Sequence, residues 1–105
     1  MNLAPSDRRK GGSGLDLAFA IGLLVAQGIV DENAVRGVGF VAELGLDGSL
    51  KSVPGTAPLV AAMRDLHVVV AEAGGADALA ASPSRVSTAP TLRVVVACLQ
   101  QRREW

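Results

Sequence analysis

Residues 38–46 constrain what this chain can fold into more than any other stretch. Val38, Phe40, Ala42, Leu44 and Leu46 alternate with Gly39, Val41, Glu43 and Gly45. That is the two-residue period of a strand, which a helix cannot turn into one apolar face. Asp47-Gly48 then supplies a tight turn and residues 49–53 return, so a β-hairpin is expected here.

The segments on either side follow other periods. Residues 15–27 read as a helix, with Leu15, Phe19, Gly22 and Ala26 on one stripe and Leu17, Ile21, Leu24 and Val25 on another. With so little polar surface, this helix is expected to pack on two sides. Ser13 followed by Asp16 matches a capping pair at its start, and Gly28 ends it. Residues 31–36 form a short polar connection with room for one helical turn. After Pro54-Gly55, the residues Leu59, Ala62, Met63 and Leu66 recur at helical spacing. Residues 67–71 are a continuous apolar run, the mark of a strand covered on both faces. A brief helix is expected over 76–81, then a loop over 82–87 around a short strand at Val86. Thr88 or Thr91 can cap a last helix striped by Leu92, Val95, Val96 and Leu99, with Arg102 and Arg103 at the negative end of its dipole. The order is mixed α/β, with a hairpin and a helix-strand-helix unit, and no internal repeat is visible.

Composition limits the chemistry. Only Phe19, Phe40 and Trp105 are aromatic, so the core must be aliphatic, and 105 residues suffice for one domain without staples. Ten basic and ten acidic residues cancel, leaving no global field to attract nucleic acid or anionic lipid. Cys98 and His67 are single copies, which excludes an internal disulfide and any zinc site needing several such ligands, so no metal site is expected. The run 17–30 is broken by Gln27 and is too short for the roughly 20 residues of a membrane span. No secretory signal is visible, and a cytoplasmic setting fits.

Asn2-Leu3-Ala4-Pro5-Ser6-Asp7, Lys10-Gly11 with Gly14-Leu15-Asp16-Leu17, and residues 43–50 (Glu-Leu-Gly-Leu-Asp-Gly-Ser-Leu) together carry a resemblance. The chain resembles, from Asn2 to about Leu99, the N-terminal ChlI-type domain of magnesium chelatase-like AAA+ proteins, a group that includes bacterial competence-associated proteins. The resemblance implies a fold like the proteolytic domain of Lon-type proteases, shared with a domain of a small-subunit ribosomal protein. It also implies strands and a helix ahead of the Asn-Leu-Ala-Pro segment, so the chain is expected to be the later part of that domain, with a sheet edge open to pairing. The AAA+ ATPase module, with its Gly-x-x-x-x-Gly-Lys-Ser/Thr loop, is absent from these residues, which leaves ATP and Mg to the parent protein. One departure is Val70-Ala71-Glu72-Ala73, where the family usually has Pro-Ala-Glu-Asn.

Lon-type proteases use a serine nucleophile just before the long helix and a lysine base after the hairpin. Setting Lys10-Gly11-Gly12 against the protease loop puts the nucleophile position on Gly14, with Ser13 one place early. The lysine position falls near Ala57, and Lys51 comes several residues too soon. A serine without a base in hydrogen-bond reach cannot shed its proton, so no catalytic residue is expected and Ser13 reads as a helix cap. Arg8, Arg9, Lys10, Gly12 and Ser13 form the candidate anion- or nucleic-acid-binding loop, since free N–H groups at a helix start attract phosphate. Asp47 is explained by turn chemistry, Glu43 by solvent or a basic neighbour, and His67 and Cys98 by packing.

The expected function is a non-catalytic accessory domain of a magnesium chelatase-like AAA+ ATPase, needing no cofactor of its own. Its expected partners are the ATPase module of the same full-length protein, a second copy of the domain, and DNA through the parent assembly, with no membrane. Two other classes stay open: a serine hydrolase using Ser13, and a nucleic-acid-binding module using the Arg8 to Lys10 loop.

Overall fold

The computed structural model describes residues 14–53, 56–63, 65–73, 75, 79 and 85–101. Helix α1 spans Asp16–Ala26, a 3-10 turn spans Glu32–Val35, and strand β1 spans Val38–Val41. Strands β2 (Glu43–Leu44) and β3 (Leu50–Lys51) make the hairpin. Helix α2 (Thr56–Ala62), strand β4 (His67–Ala71), strand β5 (Val86–Ala89) and helix α3 (Leu92–Gln101) complete the order. This is the mixed α/β architecture that the patterning implies.

Strands β1, β4 and β5 form a parallel sheet in the order β1-β4-β5, with Val38 opposite His67 and Val68 opposite Val86. The apolar run at 67–71 is therefore the central strand, and its side chains alternate between two cores. Val69 and Ala71 join Leu17 and Ile21 of α1 and Val95 and Leu99 of α3. Val68 and Val70 join Val53, Val60 of α2 and Val86 on the opposite face. A strand covered on both faces has no need of polar alternation, which is why this one reads as an unbroken aliphatic run.

Several expectations are refined. Helix α1 ends in a Schellman arrangement: Gly28, at φ +81°, donates to the Val25 carbonyl, and Ile29 N–H donates to the Leu24 carbonyl. Its N-cap position is Leu15, with no side-chain cap; Asp16 is turned elsewhere, and Ser13 lies outside the described residues. Nor does α1 pack on two sides. Leu17 and Ile21 are buried, but Leu15, Phe19 and Leu23 are 50%, 68% and 64% exposed. The helix is an outer layer on a sheet, so only one stripe meets a core.

The expected long strand over 38–46 is split at Ala42, and the turn is centred on Leu46 and Asp47, one position earlier than Asp47-Gly48 suggests. Gly48 N–H donates to the Gly45 carbonyl at 3.0 Å, Gly48 has φ +91°, and Leu46 projects fully into solvent. In α2 the buried face is Val60, with Met63 partly buried just beyond, whereas Leu59 and Ala62 face outward. Strand β5 extends across Thr88, which leaves Thr91 as the cap of α3, accepting from Val94 N–H at 3.3 Å. The helix expected at 76–81 falls largely outside the described residues; within it, Leu79 is helical and donates to the Gly75 carbonyl at 3.0 Å.

Candidate functional site

The loop that enters α1 is fixed by backbone bonds. Ala42 N–H donates to the Gly14 carbonyl, and Leu17 N–H donates to the Ala42 carbonyl, each at 3.1 Å. One carboxylate oxygen of Asp16 accepts from Leu44 N–H, also at 3.1 Å. The acid expected to cap its own helix instead ties the helix entry to the hairpin. These three bonds occupy the junction between β1 and β2, and they account for the strand break at Ala42.

Gly14 sits at the centre of this junction. It is buried, with φ +80°, and a Cβ built on it would lie 3.2 Å from a γ-methyl of Val41 and 3.2 Å from one of Val53. The position that the protease resemblance gives to the nucleophile is thus filled by packed backbone in a left-handed conformation. The approach of Val53 also places the segment after the hairpin beside this loop, as a serine-lysine pair would require, without a lysine there.

The candidate base positions do not supply one. Ala57 lies in the first turn of α2. Lys51 is exposed on β3 opposite Glu43, and its Cε lies 3.2 Å from where a Cβ of Gly45 would stand. Its charge helps hold the Asp47 carboxyl below its ordinary range, after the larger effect of the bonds from Ser49. Asp47 Oδ1 accepts from both Ser49 N–H (3.0 Å) and Ser49 Oγ (2.7 Å), the turn chemistry expected of it. Lys51 is therefore drawn toward the hairpin tip. Arg8, Arg9, Lys10, Gly12 and Ser13 lie outside the described residues.

Two polar groupings were not legible in the sequence. Arg85, just before β5, donates from Nη1 to the carbonyls of Met63 (2.7 Å) and Leu66 (3.0 Å), and from Nη2 to that of Val60 (3.3 Å). The Val60 and Met63 carbonyls already accept from Met63 N–H and Leu66 N–H, so Arg85 adds a second donor to each and one to the Leu66 carbonyl, bracing the end of α2 and the turn into β4, which no motif at 82–87 announces. His67 Nε2 and Ser87 Oγ are 2.7 Å apart across β4 and β5. Burial first, then the Arg85 charge, pushes the His67 pKa below its usual value. The pair has the distance of a base and a nucleophile, but it lies at the amino ends of parallel strands, whereas ligands of such sheets gather at the carboxyl ends. It is a tie between strands. Cys98 is a partly buried thiol on α3, as packing predicts.

Two clefts flank α3. The larger, about 640 Å³, lies between the end of α1, the hairpin turn and α3, with Leu24, Ile29, Leu92, Val96 and Ala97 in its wall and Asp47 and Arg93 at its rim. The smaller, about 540 Å³, lies between the α1 terminus and the last turn of α3. Gln100 stands between them and donates from Nε2 to the Ile29 carbonyl at 3.0 Å. Among the described residues no cluster of three or more metal-ligating side chains occurs, and no helix is long and apolar enough to cross a membrane.

The fold and this junction define a mixed α/β domain that keeps a loop-helix-hairpin arrangement with glycine at its centre. The chain belongs to the family of subunit ChlI of Mg-chelatase, which it matches over residues 1–73. It is also 36% identical, over 98 residues and 91% of its length, to competence protein ComM of Haemophilus influenzae. The chain spans 19% of the length of that relative.

Proposed function

We propose that the chain is a non-catalytic accessory domain of a magnesium chelatase-like AAA+ ATPase, and that it assists assembly of the ring or engagement of its substrate in the cytoplasm. The observation that carries this reading is Gly14. Where a serine would have to stand, the backbone is left-handed and closed in by Val41 and Val53, and the Lys51 side chain runs beside Gly45 of the hairpin. A hydroxyl needs a partner to take its proton; methyls of Val41 and Val53 stand against Gly14, and the Asp16 carboxylate is taken up by Leu44 N–H. The exposed apolar stripe of α1 supports a docking role, since large apolar side chains grouped on one face commonly mark an interaction surface.

ATP and Mg enter through the parent protein in this reading. The chain has no Gly-x-x-x-x-Gly-Lys-Ser/Thr run to cradle phosphates. The test is to add the purified chain to the ATPase module of a magnesium chelatase-like protein from the same organism, following complex size by light scattering and ATP turnover by phosphate release. A complex with altered turnover or ring population is expected. Absence of both binding and effect refutes the proposal.

A further inference from the structure

We infer that the larger cleft beside α3 is one half of a two-fold contact between copies of this chain: the partner's Leu46 enters it, and this chain's Leu46 enters the same cleft of the partner. Leu46 is fully exposed at the hairpin tip and immediately precedes Asp47 and Gly48, which wall the cleft. Leu24, Ile29, Leu92 and Val96 make the aliphatic part of the wall. At about 640 Å³ the cleft lies within the roughly 300–1,000 Å³ of sites that enclose a ligand, so it takes the tip of a turn rather than a single methyl. In its own turn Leu46 holds the position where proline is favoured, and it serves no core of its own chain.

Three observations select a second copy as occupant. An isologous contact needs one patch that complements itself, and here a protruding leucine stands beside an aliphatic hollow on one surface. The rim also carries one charge of each sign, Asp47 and Arg93. Bonds from Ser49 keep the Asp47 carboxyl below its ordinary range, so it is ionised at neutral pH. Two-fold symmetry sets each Asp47 toward the partner's Arg93, and the pair forms twice. Arg93 does not serve its own helix, since a cation in the first turn of α3 opposes the dipole. Finally, the tip is held in place before docking. Leu92 N–H donates to the Gly48 carbonyl at 2.9 Å and Leu50 N–H to the Pro90 carbonyl at 3.0 Å, which joins hairpin to helix and leaves little freedom to lose on association. A contact of one turn and one cleft on each side is small, hence weak and reversible.

Sedimentation velocity on the full chain from about 1 µM to about 1 mM, which spans moderate to marginal affinity, is expected to show monomer passing into dimer. Leu46→Ser removes two leucines from the contact, each worth about tenfold, and weakens association by about a hundredfold with circular dichroism unchanged. Arg93→Glu sets like charges together across the two-fold axis yet suits the dipole of α3, so it weakens the dimer without lowering the melting temperature. Phe19→Ser, on the exposed stripe of α1, leaves the dimer intact. A chain that stays monomeric throughout overturns the inference. So does a dimer insensitive to Leu46→Ser, association lost in Phe19→Ser instead, or growth into species larger than a dimer. No ATPase module takes part, so failure here is distinct from failure of the accessory role.

Discussion

Replacing Gly14 by alanine tests the junction most sharply. The structure sets two costs. A left-handed backbone at φ +80° costs a residue with a Cβ about 1–2 kcal/mol. The new carbon also stands 3.2 Å from methyls of both Val41 and Val53, which belong to the second core and cannot retreat freely. Overpacking of that kind typically costs a further ~1–3 kcal/mol, so the total is roughly 2–5 kcal/mol. At about 4 °C per kcal/mol for a domain near this size, the melting midpoint drops by roughly 8–20 °C. Urea unfolding followed by far-ultraviolet circular dichroism reads it, with an unchanged m-value showing that only stability moved. Gly22→Ala is the matched control: this glycine is on the exposed side of α1, nothing lies within 4 Å of its Cβ position, and helix propensity predicts a gain of about 0.5–1 kcal/mol. If Gly14→Ala stays within about 0.5 kcal/mol of wild type, the surface-like range of substitutions, the packed-glycine account is wrong.

Arg85→Met removes three bonds to carbonyls of α2 and the turn that follows it and is expected to cost about 2–3 kcal/mol in denaturant unfolding, with Arg85→Lys recovering only part, because an ammonium cannot reproduce the fork. His67 has a folded pKa below its unfolded value of 6.5, so the folded state binds the proton more weakly than the unfolded one. Stability is therefore full above pH 6.5, declines as pH falls below it, and levels off below the folded pKa; His67→Gln flattens that part of the curve. Leu17, completely buried between α1 and the sheet, is expected to cost about 2–5 kcal/mol as Leu17→Ala, measured the same way.

Period and burial made the fold readable where they coincided. The hairpin residues, the unbroken run at 67–71 and the stripe of Leu92, Val95, Val96 and Leu99 stood out because aliphatic periodicity is a local signal. What stayed hidden depends on contacts between distant residues. The Ser13-Asp16 spacing suggests a cap, whereas the Asp16 carboxylate accepts from Leu44 N–H, 28 positions later. The break at Ala42 exists because Gly14 and Leu17 take its backbone groups, and a uniform strand period gives no hint of that. Leu15, Phe19 and Leu23 look like core by composition, yet an outer helix can bury only the stripe facing the sheet. The glycine at position 14 was visible in the sequence; its left-handed φ and its two valine neighbours, which turn a missing serine into a packing requirement, came from the fold.

The most direct measurement of the central claim is labelling of the intact chain with a fluorophosphonate probe, followed by mass spectrometry and compared with Ser13→Ala. A domain whose helix-entry loop serves only packing shows no adduct above the level of the variant. An adduct on Ser13 that forms readily near neutral pH and vanishes in Ser13→Ala reveals an activated hydroxyl, and contradicts the account.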